Sequence, residues 1–131
     1  MSTEPLRVRQ EQLERAVQRL ADALAQPKDE FIRDAAIQRF EFTFELTWKV
    51  LKLFLEYQGI EARSPRACIR ESFVVGLLPE DDGWLEMVTL RNLTSHTYDE
   101  ATAERVYQAL PQVVTRIRDL LERLTEELEK P

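Results

Sequence analysis

The sequence predicts an all-α protein, an antiparallel helical bundle. Three observations carry that prediction. Apolar residues recur at steps of three and four along most of the chain, the spacing that lines one face of a helix. No β-type alternation of useful length occurs, and no internal repeat. Only 3 glycines and 6 prolines punctuate 131 residues, so long elements with short connections are expected. The length is that of one domain, and residues 1–131 are expected to form a single one.

The first helix is predicted over residues 6–25, where Leu13, Val17, Leu20 and Leu24 make one apolar stripe. Pro27 stops it, and Asp29 is placed to cap the next helix. That second helix, about 30–58, carries Ile37, Phe40, Phe44, Trp48, Leu51 and Leu55 along one seam. Phe42, Leu46, Val50, Leu53 and Tyr57 make a second apolar surface. A helix apolar over most of its circumference must be buried on both sides. Either the other helices wrap it fully or a second subunit covers part of it. Gly59 fits the residue just past its end.

Ser64-Pro65 starts a short third helix, with Ser at the N-cap and Pro at N1. It is expected to bury Cys68, Ile69 and Phe73 and to stop at Gly76. Arg66 and Arg70 share a face at i, i+4. They suit a phosphate-binding patch, and equally suit pairing with the abundant carboxylates. Glu80-Asp81-Asp82 then caps a fourth helix carrying Trp84, Leu85, Val88 and Leu93. Thr97-Tyr98-Asp99-Glu100 has the T-x-x-E form of a capping box. The fifth helix has a sustained stripe through Val106, Leu110, Val113, Ile117, Leu120, Leu124 and Leu128. Pro111 within it should kink or break it near Ala109.

Composition narrows the function. The chain is 44% hydrophobic, enough for a core, and its net charge of −6 excludes nucleic-acid binding by overall charge alone. A local cationic patch stays open. Cys68 is the single cysteine and His96 the single histidine, so neither an internal disulfide nor a Cys/His metal site is expected, and no cofactor. No apolar run approaches the roughly 18 residues that span a bilayer, and no apolar stretch follows the charges near the start. A cytoplasmic protein without a membrane contact is expected.

The chemistry concentrates in Arg91-Asn92-Leu93-Thr94-Ser95-His96-Thr97-Tyr98, at the junction of the fourth and fifth helices. Imidazole gives and takes protons near neutrality, and guanidinium offers a planar fork of donors matched to phosphate. An Arg five residues before a His, with a Tyr two beyond, suits chemistry on a phosphodiester. The same residues also suit capping: a cation is favoured at a helix C-terminus.

The segment Ile37-Gln38-Arg39-Phe40-Glu41-Phe42-Thr43-Phe44-Glu45-Leu46-Thr47-Trp48-Lys49 resembles the long helix of the nucleotidyltransferase substrate-binding proteins, members of the HEPN superfamily (higher eukaryote and prokaryote nucleotide-binding domain). Ser64-Pro65-Arg66, Asp82-Gly83-Trp84 and the stretch from Arg91-Asn92 to His96-Thr97-Tyr98-Asp99-Glu100 follow in the matching order. The resemblance covers about residues 8 to 128. It implies an up-and-down four-helix bundle with an additional short helix. It implies a homodimer with facing R-x4-H motifs and a minimal nucleotidyltransferase as partner protein, in a toxin–antitoxin-like pair. In that setting the protein is a metal-independent endoribonuclease acting on RNA.

Under the resemblance, His96 is the acid/base group and Arg91 stabilises the transition-state charge. Asn92 is placed to orient the phosphate or the His96 ring, or to cap the end of the fourth helix, while Arg66 and Arg70 stay the candidate phosphate-binding pair that their spacing offers. Tyr98 is the acceptor of an AMP group from the partner, and its AMPylation would block RNA by charge and volume. A non-catalytic subunit that presents a nucleotide or other substrate to the transferase is the competing expectation. A purely structural helical adaptor is a third, which leaves the motif without a use.

Overall fold

The computed structural model describes residues 2–130. They form five α-helices: α1 (Glu4–Leu24), α2 (Glu30–Tyr57), α3 (Pro65–Val74), α4 (Asp82–Leu93) and α5 (Glu100–Glu129), with a 3-10 turn at Thr94–His96 before α5. No strand occurs among the described residues. The fold is the expected all-α bundle, with α1, α2, α4 and α5 as its four main helices and α3 as the short addition.

Local signals set most of the boundaries. Asp29 Oδ1 accepts from the Ile32 amide at 2.7 Å and starts α2, and Ser64 Oγ accepts from the Ala67 amide at 3.1 Å and starts α3. Gly59 (φ 77°) and Gly76 (φ 79°) both lie in the left-handed region. Past α2 the Ile60 amide reaches back to the Leu55 carbonyl, and past α3 the Leu77 amide to that of Ser72. Both ends are Schellman closures, in which a left-handed residue lets orphan carbonyls be bonded.

α2 is the spine. It packs against α1, α3, α4 and α5, and Ile37, Phe40, Phe44, Leu51 and Leu55 of its seam are buried. Val50 and Phe54 on its other side are buried too, whereas Leu46, Leu53 and Tyr57 are half-buried and Phe42 is exposed. The other helices therefore wrap most of α2, leaving Phe42 outside. Leu6, Leu13, Val17 and Leu20 of α1 and the α5 stripe from Val106 to Leu124 complete one continuous apolar cluster. Each such side chain contributes about 1.5–3 kcal/mol by leaving water. Gln10 donates to Thr125 Oγ1 at 2.9 Å and ties α1 to α5.

Three local expectations change. Of the kink or break expected at Pro111, the break does not occur: α5 is continuous from Glu100 to Glu129. Pro111 lies on the exposed face, where water can serve the carbonyl that loses its partner, while buried Leu110 and Val113 hold the helix on its other side. Thr97 does not cap α5. Its hydroxyl donates back to the Thr94 carbonyl at 3.4 Å, and Asp99 is the N-cap, accepting from the Thr102 amide at 3.0 Å. In α3 Cys68 and Ile69 are buried as expected but Phe73 is only half-buried, and in α4 the buried positions are Trp84, Met87 and Leu90.

Candidate functional site

The last turn of α4, the 3-10 turn and the start of α5 form a folded corner. Thr94 organises its first half. Its buried hydroxyl donates to the Arg91 carbonyl at 2.6 Å and accepts from Arg91 Nη1 at 2.8 Å. The guanidinium is thereby held back along its own helix end. Two carboxylates of α2 flank it: Glu41 lies 3.7 Å from Nη1 and Glu45 3.6 Å from Nε. Those are ion-pair distances but not hydrogen bonds. Arg91 Nε is buried without a hydrogen-bond partner among the described residues, and Glu45 is meanwhile engaged by Trp48 Nε1 at 3.1 Å.

The second half of the corner is a turn in which the Asp99 amide donates to the His96 carbonyl at 3.1 Å. His96 and Tyr98 project from it, both exposed, Tyr98 at 84%. His96 Nδ1 and the Tyr98 hydroxyl are 3.2 Å apart, and the rings meet edge to face with centroids at 5.9 Å. The Asp99 carboxylate takes hydrogen bonds from both the hydroxyl and the amide of Thr102, which hold its pKa below the ordinary range. Next to it, Glu100 accepts from Arg33 Nη1 at 2.9 Å. Arg33 is a buried guanidinium of α2, and the Glu100 hydrogen bond raises its pKa further. The start of α5 is thus pinned to the spine.

An open groove of about 360 Å³ runs along this corner, lined by Phe44, Glu45, Pro65, Val88, Arg91, Asn92, Ser95 and His96. Arg91, Asn92 and His96 are therefore brought together. Arg66 and Arg70 do not line the groove. Arg66 is exposed at the start of α3, and Arg70 borders a separate hollow with Phe73, Val74, Glu80 and Leu85. Tyr98 faces a second hollow of about 390 Å³ with Asp34, Gln38, Glu41 and Thr97 among its walls.

Glu41, Glu45, Thr94 and Arg33 are the site residues that the sequence reading did not single out. The i, i+4 spacing of Glu41 and Glu45 is visible in the sequence, but nothing local says that Arg91 lies beside them. An open groove holding one guanidinium and one imidazole can bind an anion and move a proton.

A family model described as nucleotidyltransferase substrate binding protein like matches residues 8–126. The chain belongs to that family. Among its relatives is a protein of Haemophilus influenzae named probable ribonuclease HepT, 34% identical over 96 residues. That match covers 70% of this chain and 66%, just under two thirds, of the relative's own length. A crystal structure from Thermus thermophilus superposes with a TM-score of 0.81 at 40% identity, over 86% of this chain and 98% of that one. A Haemophilus influenzae structure described as revealing the fold of a substrate binding domain of a nucleotidyltransferase does so at 0.69 and 29% identity, over 95% and 99%. These likenesses agree with the all-α bundle of this nucleotidyltransferase substrate-binding family member. No described helix is long and apolar enough to cross a membrane.

Proposed function

We propose that this chain is the HEPN-type, single-domain partner subunit of a minimal nucleotidyltransferase and a metal-independent endoribonuclease. Arg91 and His96 are its working groups, in a groove between two copies of the chain, and AMP transfer to Tyr98 silences it. The observation that carries the reading is that Arg91 and His96 line one open groove. The name of the HepT relative supports it from outside.

In the proposed reaction the 2′-hydroxyl attacks the adjacent phosphorus and the bond to the 5′-oxygen breaks. The products are a 2′,3′-cyclic phosphate and a 5′-hydroxyl. One proton must leave the attacking hydroxyl and one must reach the leaving oxygen. A single chain has one histidine, so two facing copies would supply the base and the acid. Arg91 offsets charge on the phosphorane; its carboxylate neighbours are too distant to be hydrogen-bonded, so phosphate can take the guanidinium from them.

RNA cleavage in EDTA by wild type and His96→Ala tests this. Loss of at least about 100-fold in the variant, with cyclic phosphate ends from wild type, is the expected result. Activity equal in both proteins would remove His96 from the mechanism.

A second reading has its own support. The Haemophilus structure is described as a substrate-binding domain, and Glu41 and Glu45 put negative charge beside Arg91. A non-catalytic subunit would present a nucleotide to the transferase through the same groove. There, His96→Ala would weaken nucleotide binding modestly, and neither protein would cut RNA.

A further inference from the structure

The 3.2 Å contact between His96 Nδ1 and the Tyr98 hydroxyl bears on a reaction other than RNA cleavage. We infer that His96 is the general base that makes Tyr98 a nucleophile, so that one imidazole serves both the cleavage of RNA and the modification that stops it. This rests on the proposed reading that Tyr98 accepts a nucleotidyl group.

A phenol ionises near 10 in model peptides, so only about one part in a thousand is phenolate at neutrality. An unassisted tyrosine is therefore a weak nucleophile, and a positioned base is the usual remedy. Imidazole is the side chain suited to that role near neutral pH. The contact is within the hydrogen-bond reach a general base needs.

The local backbone keeps the two groups in register. His96 and Tyr98 are the first and third residues of a turn closed by the Asp99 amide on the His96 carbonyl at 3.1 Å. On one side the Thr97 hydroxyl donates to the Thr94 carbonyl. On the other, Asp99 caps α5 and Glu100 accepts from buried Arg33 at 2.9 Å. Both rings thus stand on a segment tied at each end, and the phenol, 84% exposed, is open to an incoming substrate.

The step balances. Tyr98 Oη forms a bond to the α-phosphorus of a nucleoside triphosphate brought by the transferase, and the bond from that phosphorus to the bridging oxygen breaks. Pyrophosphate leaves with the electron pair. The phenolic proton passes to His96 Nδ1, and solvent then removes it.

The test reads phenol reactivity with neither RNA nor transferase present. Full-length wild type, His96→Ala and His96→Gln are treated with a soluble arylsulfonyl fluoride, which joins a phenolate through sulfur and expels fluoride. Label at Tyr98 is timed by peptide mass spectrometry, and circular dichroism checks that each protein is folded. We expect Tyr98 in wild type to react about 100-fold faster than in either variant, the lower end of what a positioned base contributes.

His96→Gln keeps a hydrogen-bonding group but no basic nitrogen. If it reacts like wild type, the contact is packing and the inference fails. Equal rates in wild type and His96→Ala overturn it as well. Tyr98 is already exposed, so access does not explain a difference. A reactive Tyr98 in a protein that cuts no RNA would leave this inference standing and sink the nuclease alone. Equal labelling in a protein that does cut RNA would do the reverse.

Discussion

Arg33 and Arg91 both face carboxylates of another helix, and their surroundings differ. Arg33 is buried at the start of α2, donates to Glu100 at 2.9 Å and has Asp34 and Glu104 within 4 Å. Arg91 is half-exposed on the groove, with Glu41 and Glu45 at 3.7 and 3.6 Å and no hydrogen bond to either. Among the described residues its side-chain hydrogen bond goes to a neutral hydroxyl, Thr94. Both guanidiniums leave a buried Nε without a partner among the described residues; the difference is that Arg33 gives Nη1 to a carboxylate, Glu100, which ties it into structure. Arg91 has carboxylates close enough to keep it in position and too far to saturate it. The first arginine holds α5 to the spine; in the proposed function the second offers its terminal nitrogens, not its buried Nε, to an outside anion.

Replacing each arginine is the strongest way to break this contrast. Arg91→Ala should lower RNA cleavage by about 10²- to 10³-fold, the usual loss when one transition-state donor is removed, with little change in melting temperature. Arg33→Ala should act chiefly on stability: a fall of roughly 5 °C in Tm, with cleavage per folded molecule falling far less than in Arg91→Ala. Calorimetry and single-turnover assays on the same preparations read both. If Arg91→Ala melts early and Arg33→Ala cleaves poorly, the roles are reversed and the contrast is wrong.

The carboxylates sharpen the comparison at smaller amplitude. A unit charge about 4 Å away is worth about 1 kcal/mol even at the dielectric constant of water. Glu45→Gln keeps an acceptor for Trp48 Nε1 and removes the charge beside Arg91. It should tighten binding of a non-cleavable RNA oligonucleotide about 3- to 5-fold at low salt, and the gain should fade as salt screens it. Unchanged affinity, measured by fluorescence anisotropy, would mean that Arg91 does not meet the phosphate.

The same pair shows where the sequence is legible. Helix starts at Asp29 and Ser64 and stops at Gly59 and Gly76 depend on a few adjacent residues, and each is readable. The apolar period predicts the bundle for the same reason. Arg91 and His96 stand out through local spacing. Arg33 does not, although it lies in line with Ile37 and Phe40 on the buried side of α2; a charge on an apolar stripe is the available signal. Glu41 and Glu45 meet Arg91 only because α4 packs on α2, a contact between residues far apart in the chain. The Thr97 capping box fails for a different reason. Thr97 and Asp99 compete to cap one corner, and the 3-10 turn claims Thr97 before the helix begins.

The smallest expected effect concerns the cap that joins the two regions. Asp99 starts α5, and its amide closes the turn beneath His96. Hydrogen bonds from the Thr102 hydroxyl and amide hold the carboxyl below its ordinary value. The folded state thus favours the carboxylate. Its contribution is complete above the ordinary range near 4 and is lost as pH falls through the lower folded value. Asn caps helices about as well as Asp but does not titrate. Asp99→Asn should therefore shift Tm at pH 7 by only about 2–4 °C, and the difference from wild type should close or change sign below about pH 3. The turn amide belongs to the backbone and survives the change, so Tyr98 labelling should stay within about twofold of wild type. A large loss of labelling at unchanged Tm would mean that the carboxylate itself orients the His96–Tyr98 pair, and that the pinned end of α5 is part of the reactive corner rather than its support.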